Sequence, residues 1–303
     1  MISNDKVTEI YFIIDEFFKE FDHLIKNYSL QEVKTRKRNR KFTMSQSEVM
    51  TILILFHSGA FKNLKSFYVF YVQKHMRKDF PHTVSYNRFV ELQRKASVPL
   101  AVFVKMMCRG KCTGISFIDS TPLRSCHIKR EKQHRTFKGV AEKGQCSIGW
   151  FYGFKLHLII NDKGEILDFI LTPGNVDDRE PLKNMDLHKR IFGKLFGDKG
   201  YISKDLFEQL FIDGVHLVTK LRKNMKNALM LLQDRIMLRK RALIESVNDE
   251  LKNMCKIEYT RPRCFDNFII NTLSALLAYS FFDKKPSINT IDDIVERGKL
   301  AVV

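Results

Sequence analysis

Three carboxylates, Asp119, Asp198 and Glu245, stand where their type and setting suit them to chemistry. Asp119 closes the apolar run Phe117-Ile118 and precedes Ser120-Thr121-Pro122. Asp198 closes Leu195-Phe196-Gly197 and precedes Lys199-Gly200-Tyr201. A carboxylate beside a core is costly unless a cation or hydrogen bonds satisfy it, and loops at strand ends are where a rigid sheet presents side chains to a substrate. Taken singly, each Asp reads as a turn or cap residue. Glu245 belongs to a helical pattern: Arg241, Glu245, Asn248 and Lys252 recur at steps of four, three and four, one face of an α-helix. The plain alternative is an amphipathic helix whose Glu245 pairs with Arg241, a contact worth roughly a few tenths of a kcal/mol.

The elements that must position these groups are legible as periodicity. Residues 115–119, 149–161 and 166–171 read as strands, with Asp162-Lys163-Gly164-Glu165 a turn that makes the last two a hairpin. A helix over 180–190 follows, then a strand over 194–197, a helix over 203–211, a strand over 215–221 and a long helix over 228–254, giving the order βββαβαβα. Lys155 and His157 share a strand face by alternation and line the cleft in this reading; the alternative for His157 is a hydrogen-bonded structural role. Ser120 and Thr121 either support metal-bound water or cap the turn into Pro122. Asp177 and Asp178 either cap the helix at Glu180 or support the site.

Upstream, apolar residues recur at helical spacing from Val7 to Tyr28, Ser45-Gln46-Ser47-Glu48 has the form of a capping box, and Ser85 opens another helix. Asn87, Arg88 and Gln93 would be base contacts if this region were a helix-turn-helix, and ordinary bundle residues if it were not. The texture changes near residue 112.

In this setting the three carboxylates carry a family likeness. The chain resembles the DDE transposases of bacterial insertion sequences, the insertion sequence 982 family in particular, whose core is ribonuclease H-like. The first Asp corresponds to Asp119, the second, in a Gly-Asp-Lys-Gly-Tyr turn, to Asp198, and the Glu of an Arg-x3-Glu-x6-Lys helix to Glu245, with Arg241 and Lys252. Gly153-Phe154-Lys155-Leu156-His157 and Thr172-Pro173-Gly174-Asn175-Val176-Asp177-Asp178 match as well. Neighbouring families place a Tyr three residues before the Arg; Leu238 stands there in this chain.

The resemblance implies an α/β fold, a ribonuclease H-like mixed sheet flanked by helices and preceded by an all-helical region. The expected division is 1–112 helical and DNA-binding, 113–288 catalytic, and 289–303 a C-terminal tail. It implies metal-dependent cleavage and strand transfer on two Mg²⁺ or Mn²⁺ ions held by Asp119, Asp198 and Glu245. A pair of ions roughly 3.5–4 Å apart activates the attacking oxygen, steadies the leaving one and neutralises the phosphorus centre, and such hard cations take oxygen ligands. The implied partner is double-stranded DNA, both terminal inverted repeats and target, with a homodimer joining two ends. Arg241, Lys252 and Lys155 would hold phosphates. Arg36, Lys37, Arg38 and Arg40, in the basic run 34–41, suit phosphate contact by charge, the plain alternative being a solvated linker. Two other readings share the same residues: a catalytically silent DNA-binding derivative, and a nuclease that cuts without joining.

Composition agrees with a polyanionic partner. The 303 residues are 44% hydrophobic, and 52 Lys and Arg against 34 Asp and Glu leave a formal net charge of +18. No stretch at the N-terminus has the uninterrupted apolar character of a signal peptide. The longest apolar run, 268–282, is broken by Asn271, Thr272 and Ser274 and falls short of the roughly 20 residues that span a bilayer. It reads as a buried helix. The expected location is the bacterial cytoplasm, at the nucleoid, without a membrane partner. The six cysteines read as free thiols, because Cys108-x3-Cys112 has metal-ligand spacing but no second close pair follows it.

Overall fold

Helices fill the first part of the chain, and their ends are set by local chemistry. The computed structural model describes residues 3–29, 43–107, 110–146, 149–220, 230–258 and 262–288. The basic run with Arg36, Lys37, Arg38 and Arg40, Cys108 and the 289–303 tail lie outside the described residues. Helix α1 (Asn4–Ser29) buries Val7, Ile10, Ile14, Phe17 and Phe18, the three-to-four-residue recurrence of an apolar stripe. Helix α2 (Gln46–Ser58) starts on the expected capping box. Glu48 N donates to Ser45 Oγ at 3.0 Å, and Ser45 N donates to Glu48 Oε2 at 2.6 Å. α3 (Leu64–Ser66) passes through a π-helical stretch, Phe67–Val72, into α4 (Gln73–His75). α5 (Tyr86–Lys95), capped by Ser85, and α6 (Ser97–Met107) complete the N-terminal set.

Among the described residues six strands and five further α-helices follow: β1 (Ile115–Cys126), β2 (Glu142–Cys146), β3 (Gly149–Asn161), β4 (Ile166–Pro173), α7 (Glu180–Asn184), β5 (Gly193–Gly197), α8 (Lys204–Ile212), β6 (Val215–Thr219), α9 (Leu232–Lys240), α10 (Ala242–Asp249) and α11 (Phe265–Ser280). A π-helical turn, Glu250–Met254, continues from α10.

These elements form two compact units whose limits do not follow a single cut near residue 112. One holds the described residues of 1–107 together with Arg135–Phe137 and Glu250–Phe282; the other holds those of 108–134, 138–249 and 283–303. In the first, α11 packs on α2, α5 and α6. The 268–282 run is thus the buried helix its composition implies, with Ile270, Ala275, Leu276, Leu277 and Tyr279 fully enclosed. Among the described residues no helix is long and apolar enough to cross a membrane.

The second unit is built on a mixed sheet in the order β2-β3-β1-β5-β6, with β4 also paired to β3. β1 runs antiparallel to β3 and parallel to β5, and β5 runs parallel to β6. The far edge of β3 is shared, antiparallel, by β2 on residues 149–153 and β4 on residues 154–160. Gly144 of β2 is required by contact: a Cβ there would stand 2.1 Å from the carbonyl oxygen of Gly174. One core joins Ile118, Ile159, Leu195 and Leu217 of the strands to Leu182 of α7 and Leu206 and Leu210 of α8. α9 packs on β5 and β6 and α10 on β1, with Phe117 stacked on Phe196 at 5.5 Å. Helices therefore flank the sheet.

Four sequence expectations are corrected. β1 does not stop at Asp119 but continues to Cys126. Pro122 is tolerated because β5 pairs only with Ile115–Phe117, which, among the described residues, leaves that edge of β1 without a strand neighbour where the missing N–H would fall. β2 was not foreseen. The helix at 180 ends at Asn184 in place of 190. The long helix expected over 228–254 is three pieces, interrupted at Arg241 and turned π-helical after Asp249.

Candidate active site

Asp119 enters the site from the middle of β1. It lies across from Leu158, and alternation puts it with Phe117 on one face of the sheet, while Ile118 and Ser120 point to the other. α10 covers β1 by burying Leu243, Ile244 and Val247, and this packing brings Asn248 and, from just before the helix, Arg241 to the carboxylate. Asn248 Nδ2 donates to Asp119 Oδ2 at 3.1 Å. Arg241 Nη1 stands 3.6 Å from Asp119 Oδ1, and Arg241 Nη2 donates to Glu245 Oε1 at 2.7 Å. The Arg241–Glu245 pair of a plain amphipathic helix is therefore present, and the same guanidinium also reaches Asp119.

Asp198 follows β5 and caps a short 3₁₀ turn, Lys199–Tyr201, by accepting from Gly200 N at 2.8 Å. This bond accounts for the glycine: a Cβ at Gly200 would stand 2.9 Å from Asp198 Oδ1. Burial, opposed by Arg241 and reinforced by Asp198 and then Glu245, pushes the Asp119 carboxyl up to about 6. The three carboxylates are thus electrostatic neighbours, although Asp198 and Glu245 face solvent. Tyr201, from the same turn as Asp198, is fully buried, and its hydroxyl has no partner among the described residues. Burial first, then Asp119, Asp178 and Asp198, hold that phenol well above its ordinary pKa.

The donor set, carboxylates with an amide oxygen of Asn248 that is buried and unbonded, is chemically that of a hard divalent cation. Among the described residues, however, no three His, Cys, Asp or Glu side chains are drawn together closely enough to enclose an ion. The group lying between Asp119 and Glu245 is the guanidinium of Arg241.

Other residues singled out from the sequence lie elsewhere. Lys155 pairs with Pro122 and His157 with Ser120 in the register, so both project from the face of Ile118, away from Asp119. Lys155 Nζ donates to Val176 O and Asp178 Oδ1, each at 2.9 Å, and His157 is fully buried with Nε2 2.9 Å from Thr172 Oγ1. They are internal braces, and the cleft-lining expectation is corrected. Burial, the largest influence, brings the His157 pKa down to about 4. Ser120 and Thr121 are strand residues, not turn caps. Asp177 binds the backbone and guanidinium of Arg179, which is itself the N-cap of α7, and these bonds bring its pKa down to about 2. Lys252 falls in the π-helical turn, 3.9 Å from Glu258 Oε1. In the helical unit, Gln93 is buried and Arg88 is paired to Glu91 at 2.5 Å, so neither reads as a base contact; Asn87 is exposed. The cysteines of the described residues are free thiols.

Two residues carry more than their sequence pattern indicated. Asn248 sat on the Arg241–Glu245 stripe without an assigned role, and only the packing of α10 on β1 shows that its amide meets Asp119. Tyr201 was visible as the last letter of a turn motif, but the burial of its hydroxyl was not.

No curated protein matches the chain. Among solved structures it is similar to a chain of the cryo-EM structure of a piggyBac transposase synaptic complex with hairpin DNA, with 11% identity, a TM-score of 0.49, and coverage of 98% of this chain and 74% of that one. The family model described as the transposase DDE domain matches residues 109–265, a span that contains Asp119, Asp198 and Glu245, and the chain belongs to that family.

Proposed function

We propose that this protein is a DNA transposase of the insertion sequence 982 type, from a bacterial element, that cleaves the element's terminal inverted repeats and joins the freed 3′-hydroxyl to target DNA. The observation that carries the reading is the setting of Asp119. It is held by Asn248 from α10 and by Arg241 just before that helix, and raised in pKa by burial, with Asp198 and Glu245 adding to the shift, within a matched transposase domain.

In this reading Asp119, Asp198 and Glu245 hold two Mg²⁺ or Mn²⁺ ions, which supply Lewis acidity and a nucleophile at neutral pH. The residues of the chain do the positioning. Asn248 fixes one oxygen of Asp119, and the other stands 3.6 Å from Arg241. The turn Lys199–Tyr201 fixes Asp198 through Gly200 N. Arg241 offers a planar, permanently charged fork suited to a phosphate of the scissile strand. Lys252 and the basic run with Arg36, Lys37, Arg38 and Arg40 supply further phosphate contacts, and the net charge of +18 favours encounter with duplex DNA. Two copies bring two element ends together.

The test is incubation of the purified protein with labelled element-end DNA and Mg²⁺. Cut ends followed by joined product are expected. Cut ends with no joining would assign a nuclease instead, and DNA binding with no cutting would assign a silent derivative.

A further inference from the structure

We propose that Arg241 is the resident counter-cation of the carboxylate site, and that a divalent ion gains Asp119 and Glu245 only as the guanidinium leaves them for a DNA phosphate. This regulation rests on the transposase reading above. It addresses a specific mismatch: the three carboxylates influence one another electrostatically, yet no three acidic groups among the described residues enclose an ion. What lies between two of them is Arg241, at 2.7 Å from Glu245 and 3.6 Å from Asp119.

The geometry fits a displaceable partner. Asp119 is held by two side chains of different kinds. Asn248, buried and neutral, donates to Oδ2 and can stay in place when an ion binds. Arg241 stands at Oδ1, where its guanidinium would repel a second cation. Arg241 is also the interruption between α9 and α10, outside both helices, and its side chain keeps 22% of its exposure. It can therefore swing without unpacking Leu243, Ile244 and Val247. A phosphate diester is the ligand to which a freed guanidinium is matched, since two parallel N–H groups meet two oxygens. If DNA draws Arg241 away and metal requires its departure, each ligand must strengthen the other by the same factor. Metal loading would then wait for DNA, which keeps an unengaged copy from acting as a free nuclease.

The experiment is a Mn²⁺ titration, read by the electron paramagnetic resonance of free Mn²⁺, on wild type and R241Q with and without a short DNA duplex. Without DNA, R241Q binds Mn²⁺ at least about fivefold more tightly than wild type, and DNA tightens Mn²⁺ binding in wild type but not in R241Q. Equal or weaker Mn²⁺ binding by a folded R241Q overturns the proposal and leaves the transposase reading standing. Should R241Q fail to fold by circular dichroism, R241K carries the same test, because a single ammonium cannot span both carboxylates. Tighter binding supports the proposal and unchanged binding overturns it. Absence of Mn²⁺ binding by every protein, with and without DNA, overturns the metal-dependent reading and this inference together.

Discussion

The amide of Asn248 on α10 donates to Asp119 Oδ2 on β1 at 3.1 Å, across 129 positions of sequence. The bond ties the helix that bears Glu245 to the strand that bears Asp119, so the relative placement of two of the three carboxylates depends on it. Asn248→Ala should lower DNA cleavage by about 10- to 100-fold, the usual loss when a group that orients a metal ligand is removed. Stability should fall by only about 1 kcal/mol, the worth of one net hydrogen bond. Urea unfolding beside single-turnover cleavage separates the two effects.

Gly200→Ala tests the turn that presents Asp198. The backbone there lies outside the left-handed region and the site is exposed, so alanine should leave stability equal or raise it by about 0.4–1 kcal/mol through the unfolded chain. Its Cβ nevertheless meets Asp198 Oδ1 at 2.9 Å and displaces the carboxylate. A variant that melts no lower than wild type but cleaves more slowly is the expected outcome; cleavage at the wild-type rate would separate the cap from the chemistry.

In the helical unit, His57 is buried with Nδ1 2.6 Å from Cys255 O, and burial, aided by Lys256, brings its pKa from 6.5 down to about 4. The folded pKa lies below the unfolded one, so the unfolded chain takes up the proton first as pH falls. The contribution is complete above about pH 6.5 and is lost toward pH 4, amounting to about 2 kcal/mol by pH 5. Chemical denaturation at pH 7 and pH 5 should show this drop in wild type and a smaller one in His57→Gln. Equal drops would mean that other groups carry the dependence.

Conservative neutralisation of the site, by Asp119→Asn, Asp198→Asn or Glu245→Gln, should abolish cleavage while leaving duplex binding within about threefold of wild type in a gel-shift assay, since the bulk of affinity is electrostatic and lies with Lys and Arg. Any one of the three that cleaves normally is not a member of the site.

Much of this arrangement is legible in the sequence because it is local. The Ser45–Glu48 capping box, the turn after Asn161 and the Arg241–Glu245 pair all follow from spacing over a few residues. What the sequence hid depends on distant partners. Asp119 read as a strand end because Ser-Thr-Pro follows it, whereas the free edge of β1 beyond Phe117 lets the strand continue through Pro122. Lys155 and His157 read as cleft residues because alternation shows that they share a face but not which face; the Ile118–Ile159 register decides that. The helix over 228–254 looked continuous because its apolar periodicity runs on, while the interruption at Arg241 and the π-helical turn are events of hydrogen bonding that residue type does not announce.

The most direct measurement is a crystal of the protein bound to an element-end duplex and soaked in Mn²⁺, read by anomalous scattering. Manganese bonded to carboxylate oxygens of Asp119, Asp198 and Glu245 is expected, with Asn248 still on Asp119 Oδ2 and Arg241 turned onto a DNA phosphate. Manganese bound away from these three carboxylates, with Arg241 still between Asp119 and Glu245, would contradict it.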